Sequence, residues 1–85
     1  MSRIIFAEKA WEDYLFWQKT DKKTLKRINM LLRDIVRNGN DGIGKPEPLK
    51  HRDGWSRRID EVNRLVYMLN DKSIEILQCK GHYDD

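Results

Sequence analysis

The stretch Gly44-Lys45-Pro46-Glu47-Pro48-Leu49-Lys50 sets one carboxylate between two prolines and two lysines, in the middle of a polar loop. A proline fixes its own φ at about −65° and pushes the residue before it out of the helical region, so Lys45 and Glu47 are expected to be extended, with Glu47 on a stiff mount. Downstream come Trp55-Ser56-Arg57-Arg58-Ile59, Asn63-Arg64-Leu65-Val66-Tyr67 and, near the C-terminus, His82-Tyr83. Brought together, these types supply a base, a cluster of cations and a titratable acid. That set suits cleavage of RNA by its own 2′-hydroxyl. The reaction needs a base to take the proton, positive charge to hold the phosphorane, and an acid to protonate the departing 5′-oxygen. Glu47 is the candidate base and His82 the candidate acid, matching the ordinary behaviour of a carboxylate and an imidazole near neutral pH. Arg58, Arg64 and Lys50 are candidates to hold the charge, and Tyr83 to donate a hydrogen bond or stack on a base. A two-metal route is not expected, because one acid among many cations is a poor site for Mg²⁺. No metal or other cofactor is needed for this chemistry.

The basic charge is unevenly spread. The chain has a formal net charge of +3, and between Lys45 and Arg58 five cations (Lys45, Lys50, Arg52, Arg57, Arg58) stand against two anions (Glu47, Asp53), a surplus as large as that of the whole chain. A polyanion suits such a face, and Lys45, Lys50, His51, Trp55 and Arg57 are candidate contacts to RNA or to a ribosome. Each residue also has a plainer reading. A glutamate beside prolines is commonly a surface loop residue, and a histidine near a terminus is commonly inert. Arginines on a sheet commonly pair with carboxylates such as Asp60 and Glu61, and Trp55 can pack at a sheet edge instead of stacking on a base. Residue types alone therefore leave open a non-catalytic nucleic-acid-binding or corepressor partner, and also a ribonuclease that needs no ribosome.

The elements that must position these groups read as one domain over residues 1–85, long enough for a modest core. Residues 3–7 are β-branched and aromatic, and predict a short strand. Residues 8–20 read as a helix with Trp11, Tyr14, Leu15 and Gln18 recurring along one stripe, Tyr14 and Trp17 expected in the core or an interface, and Glu12, Asp13 and Lys19 facing elsewhere. Thr20-Asp21 supplies cap chemistry for a second helix reaching about Arg37, with Leu25, Ile28, Leu31, Leu32, Ile35 and Val36 as its apolar stripe. The turn-rich 38–44 segment ends it. Strands are predicted over 55–59, 64–70 and 73–80, the last two joined by a turn at Asn70-Asp71-Lys72. The order β-α-α-β-β-β predicts an α+β domain, a small and largely antiparallel sheet with both helices on one face. In such a sheet Arg58 and Arg64 meet across a hairpin, and His82 arrives beside the start of the Arg64 strand. Cys79 is the only cysteine, so an internal disulfide is excluded, and it is expected to pack as a small apolar residue. The absence of a long apolar run predicts a soluble, cytoplasmic chain without a membrane contact.

Taken together, the proline-bracketed loop with Glu47, the Trp55-Ser56-Arg57-Arg58-Ile59 strand, Arg64-Leu65-Val66-Tyr67, the earlier Trp11-Glu12-Asp13-Tyr14 and the His82-Tyr83 pair resemble the Txe/YoeB family of RelE-like bacterial toxins. The resemblance spans essentially the whole chain. It implies a microbial-ribonuclease-like fold and an endoribonuclease that cuts messenger RNA in the A site of the 70S ribosome. It also implies a homodimer, held inactive by a cognate antitoxin of the YefM or Axe kind. By position, the family's base falls on Glu47, its phosphate-holding arginine on Arg64, its acid on His82, and its supporting residues on Lys50, Arg58 and Tyr83.

Overall fold

A computed structural model of the chain describes residues 2–82. The elements in chain order are β1 (Arg3–Phe6), α1 (Glu8–Thr20), α2 (Lys22–Asn38), β2 (Glu47–Pro48), β3 (Trp55–Arg58), β4 (Arg64–Leu69) and β5 (Ser73–Gln78). The strands form one sheet in the order β1-β5-β4-β3-β2. β2 through β5 pair antiparallel with their neighbours. β1 instead runs parallel to β5, with Arg3 opposite Ser73 and Phe6 opposite Ile76. The α+β class and the two helices are as expected. The sheet is mixed at one edge, because the helical hairpin carries the chain back over the sheet before β2 begins. The fifth strand, β2, was not anticipated. Pro48 has no N–H to give a ladder, and a proline-containing strand is tolerated where β2 lies, at the sheet edge.

Helix α2 starts as its sequence dictates. The Asp21 carboxylate accepts the Thr24 N–H (3.1 Å) and hydroxyl (2.8 Å), which takes up a donor the first turn leaves unpaired. Its end is set by Gly39, whose φ of +66° suits a residue without a Cβ and whose N–H returns to the Ile35 carbonyl. Ile28, Leu31, Leu32 and Ile35 are buried as their spacing predicts, and join Leu65, Tyr67, Ile74 and Ile76 of β4 and β5 in one core cluster. Val36, expected in that stripe, is 43% exposed.

Helix α1 is rotated from its expected register. Its buried residues are Ala10, Asp13 and Trp17, of which Trp17 was expected there, while Trp11 and Leu15 are 48% and 40% exposed. Polar contacts explain the rotation: Trp17 Nε1 donates to the Cys79 carbonyl (2.8 Å), and Asp13 Oδ2 accepts the Cys79 N–H (3.1 Å) while also bonding Lys9. Two helix residues thus pin the backbone just beyond β5, three residues before His82. Trp11 and Tyr14 stack on each other and lean on Phe6, a satellite cluster beside β1, with the Tyr14 hydroxyl donating to Asn29. Cys79 is buried, as expected, and burial followed by the nearby Asp13 charge pushes its thiol up to about 12, so it stays protonated.

Candidate active site

Alternation along β3 divides its side chains between two faces. Trp55 and Arg57 sit across from Tyr67 and Leu65, on the face covered by the helices; Ser56 and Arg58 sit across from Val66 and Arg64, on the other. The β2 register adds Glu47 opposite Ser56, at the edge of that second face. At the other end of β4 the Arg64 N–H bonds the Gly81 carbonyl (3.0 Å), which brings His82 alongside. The outcome is a cavity of about 200 Å³ lined by Lys45, Glu47, Ser56, Arg58, Arg64 and His82. Its volume is below the roughly 300 Å³ at which sites for drug-sized ligands begin, and suits a phosphodiester with its adjoining atoms. Among the described residues, one carboxylate, three fixed cations and an imidazole therefore share one small polar concavity. A larger groove of about 590 Å³, between β1 and the helices, is lined by Ile4, Phe6, Tyr14 and Val36 among others; the described residues lining it include no carboxylate and no histidine.

Several expected residues lie elsewhere. Arg57, read as an RNA contact, is 1% exposed and spends its donors inward. Its Nε reaches the Tyr67 hydroxyl (3.1 Å), Nη1 the Asp34 carboxylate and the Ile43 carbonyl (3.0 Å), and Nη2 the carbonyls of Gly39 (2.7 Å) and Asp41 (3.2 Å). The alternation that sends Arg58 to the cavity sends Arg57 into the core, where it clamps the 39–43 loop leading to Lys45 and Glu47. Burial alone would lower its pKa, but the bonds to Tyr67 and Asp34 carry it above the ordinary value. Hydrogen bonding from Arg57 first, then from the Ile43 N–H and Asn38, holds the Asp34 carboxyl below its usual range. Trp55, also expected at RNA, packs partly buried against the core and does not line the cavity. Lys50 and His51 are exposed on the connection from β2 to β3, outside the cavity lining. Tyr83 lies outside the described residues.

The mount of Glu47 also differs from expectation. Lys45 is not extended but has φ of +50°, a left-handed conformation that costs on the order of 1 kcal/mol in a residue with a Cβ. Gly44 gives its carbonyl to the Arg58 N–H (2.7 Å), whereas Glu47 three residues on pairs with Ser56. Between those two contacts the chain spends three residues against two of β3, and the left-handed Lys45 lies in that uneven stretch. Gly44 (φ +80°) is required where it stands: a Cβ there would come within 2.8 Å of Leu31 Cδ2 and 3.2 Å of the Arg58 carbonyl.

Sequence reasoning missed Ser56, which shares the cavity, and Asp34 and Tyr67, which hold Arg57. The strand alternation signalled Ser56 once β3 was recognised. Asp34 and Tyr67 carried no local signal, being a helix residue and a strand residue whose meeting depends on tertiary packing.

Residues 6–83 match the family model of the YoeB-like toxin of bacterial type II toxin–antitoxin systems. Toxin YoeB of Escherichia coli K12 is 51% identical over 83 residues, covering 95% of this chain and 99% of its own. Toxin YoeB of Synechocystis is 53% identical, covering 95% and 96%. Among solved structures, the Staphylococcus aureus YoeB dimer superposes with a TM-score of 0.91 at 49% identity, over 96% of this chain and 98% of that one. YoeB in the heterotetrameric YoeB–YefM complex of the same species gives 0.90 at 49% identity, over 98% and 99%. YafQ of E. coli, at 17% identity and a TM-score of 0.79, shares the fold alone. The chain belongs to the YoeB-like toxins of bacterial type II toxin–antitoxin systems.

Proposed function

We propose that this toxin is a messenger-RNA endoribonuclease that works on the translating ribosome and cuts the A-site codon by metal-independent acid–base chemistry. The observation that carries the reading is the single cavity shared by Glu47, Arg58, Arg64 and His82. Glu47 removes the proton of a ribose 2′-hydroxyl, and the freed oxygen attacks the adjacent phosphorus. Arg64 and Arg58, with Lys45 beside them, hold the extra negative charge of the phosphorane. His82 in its protonated form gives its proton to the departing 5′-oxygen, so that a 2′,3′-cyclic phosphate and a 5′-hydroxyl result. The base and the acid each supply about 10²–10⁴-fold. Metal-independence is supported by the donor set, among the described residues one carboxylate beside three fixed cations, which attracts a phosphate and repels a divalent cation.

Lys50 and His51, exposed beside the cavity's edge strand, are assigned to contacts with RNA or ribosome, and Tyr83 to assisting His82. The protein is read as cytoplasmic and as a homodimer that pairs with an antitoxin of the YefM kind, the dimer and the pairing being supported by the YoeB dimer and the YoeB–YefM complex of a 49% identical relative. Among the described residues no helix is long and apolar enough to cross a membrane. The test is primer extension on a defined message in a translation extract with and without the toxin. A stop within the A-site codon is expected. Equal cutting of the same RNA without ribosomes would overturn the ribosomal part of the reading, and no cutting in either case would overturn the nuclease.

A further inference from the structure

The backbone just before the acid and one of the cations are both held by one short turn, residues 60–63, between β3 and β4. Asp60 Oδ1 accepts the N–H groups of Val62 (2.8 Å) and Asn63 (2.6 Å). Asn63 Nδ2 donates to both oxygens of the same carboxylate, at 3.2 and 3.1 Å. With its amide nitrogen committed there, Asn63 Oδ1 points away from Asp60 and accepts the Gly81 N–H at 2.7 Å. The Gly81 carbonyl accepts the Arg64 N–H, and Arg64 Nη1 donates to the carbonyls of Asp60 (2.6 Å) and Asn63 (3.2 Å). Asn63 thus touches the backbone next to His82 with its side chain and the Arg64 guanidinium with its carbonyl.

Gly81 has φ of +95°, and no described atom lies within 4 Å of where its Cβ would be. Side-chain packing therefore cannot fix this residue, and its direction rests on the two hydrogen bonds at its N–H and its carbonyl. One of those, from Arg64, is a backbone bond that most residue types would keep. The other is specific to an acceptor at position 63.

We propose that Asn63 is a positioning residue of the active site: its side-chain oxygen holds the Gly81 N–H and so sets His82 against Arg64. It touches no substrate and acts through Gly81. Burial pushes the Asp60 carboxyl up, but the Asn63 N–H and amide, the Val62 N–H and the Arg64 charge together hold it below its ordinary value, so Asp60 stays an anion that orients the Asn63 amide. This rests on the reading of Arg64 and His82 as the phosphate-holding and acid groups.

The full-length toxin, released from its co-expressed antitoxin, is compared with Asn63→Ala and with the exchange Asp60→Asn plus Asn63→Asp. The exchange swaps amide and carboxylate but keeps an acceptor for Gly81 and a donor between the two side chains. In Asn63→Ala, exchange of the Gly81 amide should speed up by about 10-fold or more and the His82 ring resonances should move. Its single-turnover cleavage rate on programmed ribosomes should fall about 10–100-fold, with the half-saturating concentration within about twofold of wild type. The exchanged pair should recover Gly81 protection and most of the rate. Asn63→Ala that keeps Gly81 protection and His82 shifts, or that loses only half-saturation, overturns the proposal. If Asn63→Ala does not fold, the exchanged pair decides alone, and its folding with Gly81 unprotected is equally fatal. If wild type cuts no message, the nuclease reading fails, while amide exchange and ring shifts still decide the positioning role.

Discussion

Arg57 and Arg58 are consecutive residues of one strand, with the same side chain, and the fold puts them to opposite uses. Arg57 turns into the core and meets Asp34, Tyr67 and three loop carbonyls. Arg58 turns the other way, is exposed, and lines the cavity with Glu47, Arg64 and His82. The backbone of Arg58 is nevertheless tied in, through its N–H to Gly44 and its carbonyl from Arg27. Local positive charge therefore does not mark a ligand surface by itself. What separates the two is which face of a pleated strand each occupies, and whether its donors already have protein partners.

The largest effect expected from this contrast is on activity. Arg58→Ala should cut messenger RNA about 100-fold or more slowly, because a cation aimed at the phosphorane is lost. Its stability should stay within about 0.5 kcal/mol of wild type, since the hydrogen bonds it shares with Gly44 and Arg27 are made by its backbone. Single-turnover cleavage and a urea melt on one preparation check both halves. Arg57→Ala should do the reverse in kind, losing about 3 kcal/mol and dropping the melting temperature by roughly 15 °C, because Asp34 and a set of loop carbonyls lose their buried partner. Arg57→Lys should recover only part of that, an ammonium being unable to span the same fork of acceptors. A calorimetric scan in which Arg57→Ala melts like wild type would remove the distinction.

A smaller loss, about 2 kcal/mol, is expected for Gly44→Ala, which places a methyl against Leu31 in a backbone conformation that disfavours any Cβ. Chemical denaturation measures it. The smallest effect concerns acid. The Asp34 carboxyl is held below its ordinary value of 3.8, chiefly by its bond from Arg57. The unfolded chain thus takes up that proton first, so the contribution is complete above the ordinary value and disappears as pH falls through the lower folded one. Asp34→Asn should be less stable at neutral pH but lose less between pH 4 and pH 2, an interval bracketing roughly where a depressed carboxylate titrates. Parallel acid-side slopes for the two proteins would contradict the Arg57–Asp34 account.

Local signals explain which parts of the molecule were readable from sequence. The α2 stripe and its Asp21 cap, the β3–β5 strands and the approach of Arg58, Arg64 and His82 depend on periodicity, turn chemistry and strand alternation, whereas Glu47 joins them through the β2 pairing, which no local pattern signalled. The burial of Arg57 was hidden because its partners come from α2, β4 and a loop, and no spacing rule joins those. Trp17 was expected in the core or an interface, but the burial of Asp13 was hidden because it answers to the backbone of Cys79, some sixty residues away. Lys45 was misjudged because the rule for a residue before proline was applied alone, whereas the contacts on either side set three residues against two of β3.

The central claim is that Glu47, Arg64 and His82 act together on one scissile phosphate. It is tested most directly by single-turnover cleavage of an A-site codon on programmed ribosomes, with wild type, Glu47→Gln, Arg64→Ala and His82→Ala compared after each is shown to be folded and ribosome-bound. The account predicts a fall of about 100-fold or more in the rate constant for every variant. Cleavage by folded, bound Glu47→Gln and His82→Ala at the wild-type rate would contradict it.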